Sequence, residues 1–195
     1  MSPARLGLIV VAFCALAGCA AAPPSPEQSA LIAPALRFAI PAPRDLGYPI
    51  DASQLVTAHF RGETQVFEAH LTVSSERLVF IGLDPLGRRA LTVTTTDQGM
   101  IVDKAPWLPA GLRPENIIAD VAIMYWPEAA VRRGLAQSDA TLEDGPNVRS
   151  ITDHGREVIH VDYGPRPAGA AWARSVRYRN LAFDYELDLQ SAVTE

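Results

Sequence analysis

The 195-residue sequence carries a formal net charge of −5 and is 48% hydrophobic, enough for one domain with a single core once a leader is set aside. Its 17 basic residues include one lysine, Lys104, and form no concentrated patch, which excludes the electrostatic footprint of a nucleic-acid binder. The two cysteines, Cys14 and Cys19, both lie near the N-terminus, so the rest of the chain has neither thiol nor disulfide.

The first 18 residues read as a signal peptide. Arg5 is a short positive region, Leu6 to Leu16 is an apolar stretch too short for a lasting membrane span, and small residues follow. Leu16-Ala17-Gly18-Cys19 resembles the bacterial lipobox, in which the cysteine is acylated and the chain is cut just before it. Cys19 is therefore the expected lipidation site. Residue 20 is alanine rather than aspartate, which by resemblance to enterobacterial lipoproteins points to the periplasmic face of the outer membrane. Residues 19–45, rich in Ala, Pro and Ser, read as a tether. Ala30 to Ile40 within it is apolar enough for a short packed segment, helical or otherwise. The single domain is expected over 46–195.

From Ser53 the period becomes two. Leu55–Phe60 and Thr64–Val73 form an expected hairpin about Arg61-Gly62, with Phe67, Ala69, Leu71 and Val73 on one face and Glu68, His70 and Thr72 on the other. After a polar turn at Ser74-Ser75-Glu76, Leu78–Leu83 is apolar at every position, the pattern of a strand covered on both faces. Asp84-Pro85-Leu86-Gly87 breaks the run. Arg88–Thr96 then alternates Leu91 and Val93 with threonines, and Met100–Asp103 follows.

A helical insert is expected over 105–136. Pro114 suits a first helical turn, and Ile117, Ile118, Val121, Met124 and Tyr125 make one apolar stripe. The Trp126-Pro127 step predicts a kink, after which Val131 and Leu135 point inward and Arg132 and Arg133 outward.

Strands return at Ala140–Glu143, Val148–Thr152 and Arg156–Tyr163. The last hairpin, Ala171–Arg179 with Asp184–Gln190, is expected to pair Arg179 with Asp184, Arg177 with Glu186 and Tyr178 with Tyr185 across a loop at Asn180–Phe183.

Signatures of chemistry are missing. His59, His70, His154 and His160 have no ligand spacing, and GxSxG, GxxxxGK[ST] and GxGxxG are absent. Glu143-Asp144 and Asp184/Glu186/Asp188 read as solvated positions. No catalytic residue, metal or cofactor is expected, and the chain is not read as an enzyme. What the sequence offers is apolar surface. Phe80, Ile81 and Leu83 on the sheet, with Ile118, Val121, Met124 and Tyr125 on the helix, are candidates to line a cleft for acyl chains, joined by Trp107, Leu108 and Trp126. The same residues are equally consistent with a filled core.

The order of parts, a lipobox leader, a strand into Asp84-Pro85-Leu86-Gly87, the strand Arg88–Thr96 and then APWLPAGLRPENIIADVAIMYWP, resembles a family of predicted bacterial lipoproteins catalogued as a domain of unknown function. The Pro-Leu-Gly element between two strands is also similar to the lipoprotein localisation factors (LolA/LolB-like). This resemblance implies an α+β fold, a curved antiparallel sheet forming an incomplete β-barrel covered on one side by short helices. It implies an apolar cavity that receives acyl chains of lipids or lipoproteins, with a periplasmic carrier protein as partner. Nothing in the sequence suggests more than a monomer. The polar turn at Ser74-Ser75-Glu76 departs from the apolar loop with which the localisation receptor reaches the membrane. The competing expectation is a structural or assembly lipoprotein with a filled core that recruits a partner protein.

Overall fold

The computed structural model describes residues 28–194 except 169, 171 and 173. The signal peptide and Cys19 lie outside the described residues.

Ten strands form one antiparallel sheet in the order β7-β6-β5-β4-β3-β12-β11-β10-β9-β8. It is two meanders: β3 (Ile50–Phe60), β4 (Glu63–Val73), β5 (Arg77–Leu83), β6 (Arg89–Thr96) and β7 (Gly99–Lys104), then β8 (Thr141–Asp144), β9 (Val148–Asp153), β10 (Arg156–Tyr163), β11 (Ser175–Asn180) and β12 (Tyr185–Thr194). The antiparallel pair β3 and β12 joins them. The sheet stays open, because among the described residues the outer strands β7 and β8 each pair on one side only. Those two edges are consecutive in the chain, so the connection between them must cross a face of the sheet. It carries both helices, α1 (Pro114–Tyr125) and α2 (Glu128–Leu135). The expected open half-barrel with helices on one side is the architecture found.

Within the 105–136 insert the first helix starts at Pro114, the position its sequence suggested. Residues 105–113 are turns and irregular chain, since Pro106 and Pro109 remove donors and the helix starts only where Pro114 needs none. The kink falls at Trp126, which is extended (φ −72°, ψ 150°) before Pro127. Side chains from the second meander satisfy the end of α1. The Arg149 guanidinium donates to the carbonyls of Ile123 and Trp126, and the Tyr163 hydroxyl to that of Met124. Arg149 is itself paired with Asp144 at 2.6 Å. Asp144 was expected to be solvated; burial of its partner makes it part of the helix seat.

The hairpin β3–β4 turns at Arg61 and Gly62, both left-handed (φ 51° and 77°), the two-residue turn that matches strand twist. Its faces are those expected: Ala69, Leu71 and Val73 are buried and Glu68 and Thr72 exposed. The last hairpin differs. Its register places Arg177 opposite Asp188, Tyr178 opposite Leu187 and Arg179 opposite Glu186, two residues from expectation. A shift of two preserves the faces, so side-chain pattern alone could not detect it. The loop is Leu181–Asp184, where Asn180 Oδ1 accepts from the amides of Ala182 and Phe183.

From residue 28 onward the expected tether is packed chain, and the apolar segment Ala30 to Ile40 is packed as strands rather than as a helix. β1 (Ser29–Leu31) pairs with β2 (Arg37–Ala39), and Ala30, Ile32, Leu36 and Phe38 are at most 2% exposed. The Asn116 and Asn180 amides donate to the carbonyls of Leu31 and Ile32, and the Trp126 indole to that of Ala42. This hairpin gives α1 a second apolar neighbour, so α1 is buried at every residue from Ile118 to Tyr125 rather than along one stripe.

Candidate functional site

Alternation along the strands places Val56 of β3, Phe80 of β5, Leu91 of β6 and Leu189 of β12 on the face that meets α1, and each is at most 5% exposed. Val121 and Met124 of α1 close over them. Between sheet and helix remains a cavity of about 1040 Å³. Phe67, Leu83, Leu108, Leu112, Ile117 and Leu187 extend its wall. Phe60 (44% exposed), Val66 (43%) and Trp107 (51%) lie on its rim. Two rim rings carry a cation: the Arg61 guanidinium lies 4.7 Å from the Phe60 ring and that of Arg88 5.3 Å from Trp107.

Of the seven residues expected in an acyl cleft, Phe80, Leu83, Val121 and Met124 line this cavity and Ile81, Ile118 and Tyr125 do not. Ile81 alternates to the opposite face, where with Val79 it is half-buried; the uniformly apolar run hid a strand whose two faces differ. Gly82 faces Leu91 and Leu83 faces Arg89. At that irregularity both residues line the cavity, against strict alternation. Ile118 (1% exposed) is in the packed core. Tyr125 stacks on Trp172 at 3.8 Å, with its hydroxyl accepting from Gln54 Nε2 at 2.7 Å. Trp107 and Leu108 line the cavity as expected, whereas Trp126 is buried away from it. Cleft and filled core are thus both present, on different sides of one helix.

Sequence reasoning missed the polar residues of the wall. Asp120, 6% exposed, lines the cavity together with Gln54, Asn116 and Tyr185. Its Oδ1 accepts from the Tyr178 hydroxyl at 2.6 Å and its Oδ2 from the Tyr185 hydroxyl at 2.7 Å. Burial pushes the Asp120 carboxyl up to about 7, and the tyrosine hydrogen bonds only partly oppose it. Burial, then the charge of Asp120, holds both tyrosine hydroxyls well above their ordinary range, so they remain donors. The signal was available: Asp120 interrupts Ile117-Ile118-Ala119-Asp120-Val121 three residues after Ile117 and four before Met124.

The remaining titratable groups point elsewhere. Arg177 meets Asp188 at 2.8 Å and Glu186 at 3.3 Å on an exposed face, an acid–base ladder in the shifted register. Among the described residues no group of three or more His, Cys, Asp or Glu is placed to hold a metal ion, and no helix is long and apolar enough to cross a membrane.

The sequence profile of a family described as a protein of unknown function, DUF3261, matches residues 51–193, from the second residue of β3 to the last but one of β12. The chain belongs to this family. No curated protein matches the sequence. Among solved structures the DUF3261 chain is similar to a LolA superfamily protein from Nitrosomonas europaea, with 9% identity, a TM-score of 0.44, and 78% of this chain and 86% of that one covered. It is likewise similar to a DUF1329 family protein from Desulfovibrio piger, with 8% identity, a TM-score of 0.43, and 77% and 87% covered.

Proposed function

We propose that the protein is a binding module that takes up an acyl chain, of a lipid or of a lipoprotein, between α1 and the sheet, and that it works as a carrier or receptor on a lipid anchor at Cys19. The observation that carries this reading is the cavity of about 1040 Å³ with an apolar floor, at the upper end of the ~300–1,000 Å³ usual for ligand sites. Transfer of apolar area at roughly 25 cal/mol per Å² supplies the affinity, and directional movement needs only a next acceptor of higher affinity. No covalent chemistry is invoked. The outer membrane and its periplasmic face belong to the same proposal and rest on the sequence around Cys19; a periplasmic delivery partner belongs to it through the resemblance to the localisation factors.

Native mass spectrometry of the purified protein tests the binding reading. Co-purified lipid of one or a few masses, removed by delipidation and restored by added acyl lipid, is the expected result; a lipid-free mass that no acyl lipid alters overturns it. Anchoring is tested by Cys19→Ser, which should leave the envelope membrane fraction or accumulate unprocessed. A second reading, an assembly protein, is favoured by the edge of β7, unpaired among the described residues, where Ile101 is 73% exposed and Val102 42%. An added strand could pair there. A lipid-free protein that retains a partner through that edge would support it.

A further inference from the structure

Where α1 and β3 wall the cavity, its apolar lining is interrupted by Asp120, Asn116 and Gln54, each of which has acceptor capacity left over. Asp120 has both carboxyl oxygens engaged by one tyrosine hydroxyl each, which leaves about two of its roughly four lone-pair positions open when it is ionised and about one when it is protonated. Gln54, 2% exposed, commits its amide nitrogen to the hydroxyls of Tyr125 and Ser191 at 2.7 and 2.9 Å. Among the described residues nothing donates to its amide oxygen. Asn116, one helical turn before Asp120, gives its amide nitrogen to the carbonyl of Leu31 at 2.9 Å, and its buried Oδ1 has no partner. All three residues line the cavity. The arginines that line it, Arg61 and Arg113, are exposed.

Unmet acceptors beside apolar surface are costly, and a buried carboxyl without a cation is more so. An anionic group brought among them would add repulsion. A group that donates a hydrogen bond would relieve one of these acceptors for each N–H or O–H it carries. We infer that the wall formed by α1 and β3 is a polar subsite for a hydrogen-bond donor carried on the acyl ligand, a hydroxyl or an amide N–H, with the oxygens of Asp120, Gln54 and Asn116 as the acceptors on offer. The inference rests on the acyl-binding reading and narrows its ligand class. Amide-linked or hydroxylated acyl groups are favoured over free fatty acids, whose carboxylate belongs at the rim with Arg61 and Arg113.

Diphenylhexatriene, a hydrocarbon with no hydrogen-bonding group, reports occupancy of the cavity in the purified protein. Dodecanamide, dodecanol and methyl dodecanoate then compete at one chain length. At least one of the amide and the alcohol should displace the probe at a concentration about tenfold or more below that of the ester, and which one does so identifies the donor. The advantage should shrink in Gln54→Met and in Asp120→Leu. Should Asp120→Leu fail to fold, Gln54→Met and the competitor series on the native protein decide. Probe binding with equal displacement by all three compounds overturns the subsite and leaves the cavity reading standing. Absence of probe binding overturns the cavity reading itself.

Discussion

The Tyr178 hydroxyl donates to Oδ1 of Asp120 at 2.6 Å across 58 positions of sequence, tying β11 to the middle of α1. The bond draws a carboxyl into an apolar helix face, and the consequence is a titration. Burial raises the folded carboxyl to about 7 from an ordinary 3.8, so the folded state holds a proton that the unfolded chain has released. The stabilisation is full below the unfolded value and is lost as pH rises through the folded one. Unfolding free energy should therefore fall between about pH 4 and pH 7, by at most about 1.4 kcal/mol per unit from this group. Asp120→Asn should remove that component when urea unfolding of the two proteins is compared across the range; equal slopes would contradict it.

Opposite sides of α1 should respond differently to truncation. Ile118 is packed in the core, whereas Met124 borders the cavity. Ile118→Ala should cost about 2–5 kcal/mol with a cavity term. Met124→Ala, where less close packing is broken, should cost clearly less by denaturant unfolding. Equal large losses would indicate a filled interior.

Arg149 is the seat of the helix end. Arg149→Met strands the carbonyls of Ile123 and Trp126 and leaves Asp144, only 16% exposed as a side chain, without its cation. A loss of about 3 kcal/mol is expected, visible as a lowered Tm. Replacing Arg177, whose partners are on an exposed face, should cost at most about 1 kcal/mol.

Gly134 marks where β2 meets α2. A Cβ there would lie 2.4 Å from Phe38 Cε2 and 2.6 Å from the Ala39 carbonyl oxygen. Alanine would favour an isolated helix by about 1 kcal/mol, yet here overpacking of about 1–3 kcal/mol should win, because one of the two neighbours is backbone. Gly134→Ala should lower Tm, whereas a gain in Tm would mean that the hairpin yields readily.

Much of this architecture is legible in the sequence wherever one local rule acts alone. Pro114 and Trp126-Pro127 bound α1 through donors and sterics, and Arg61-Gly62 sets a hairpin whose alternation then follows. Legibility ends where two partners must be known together. Ile81 is as apolar as Phe80; alternation sends them to opposite faces, but only the packing of α1 decides which face lines the cavity. The last hairpin tolerates a shift of two without exposing a face. Residues 29–39 look like tether until α1 and β11 supply donors for the carbonyls of Leu31 and Ile32. Asp120 is conspicuous on its stripe, but its meaning depends on tyrosines more than fifty residues away.

The most direct measurement of the acyl-cavity claim is a titration of a fluorescent fatty-acyl probe into the native protein, Val121→Glu and Ile81→Glu, with folding checked by circular dichroism. Val121 is on the cavity wall and Ile81 on the opposite face. A carboxylate in the cavity carries a desolvation cost of roughly several kcal/mol, so the account predicts saturable binding by the native protein and by Ile81→Glu, and none by folded Val121→Glu. A native protein that binds no probe, or a folded Val121→Glu protein that binds with native affinity, would contradict it.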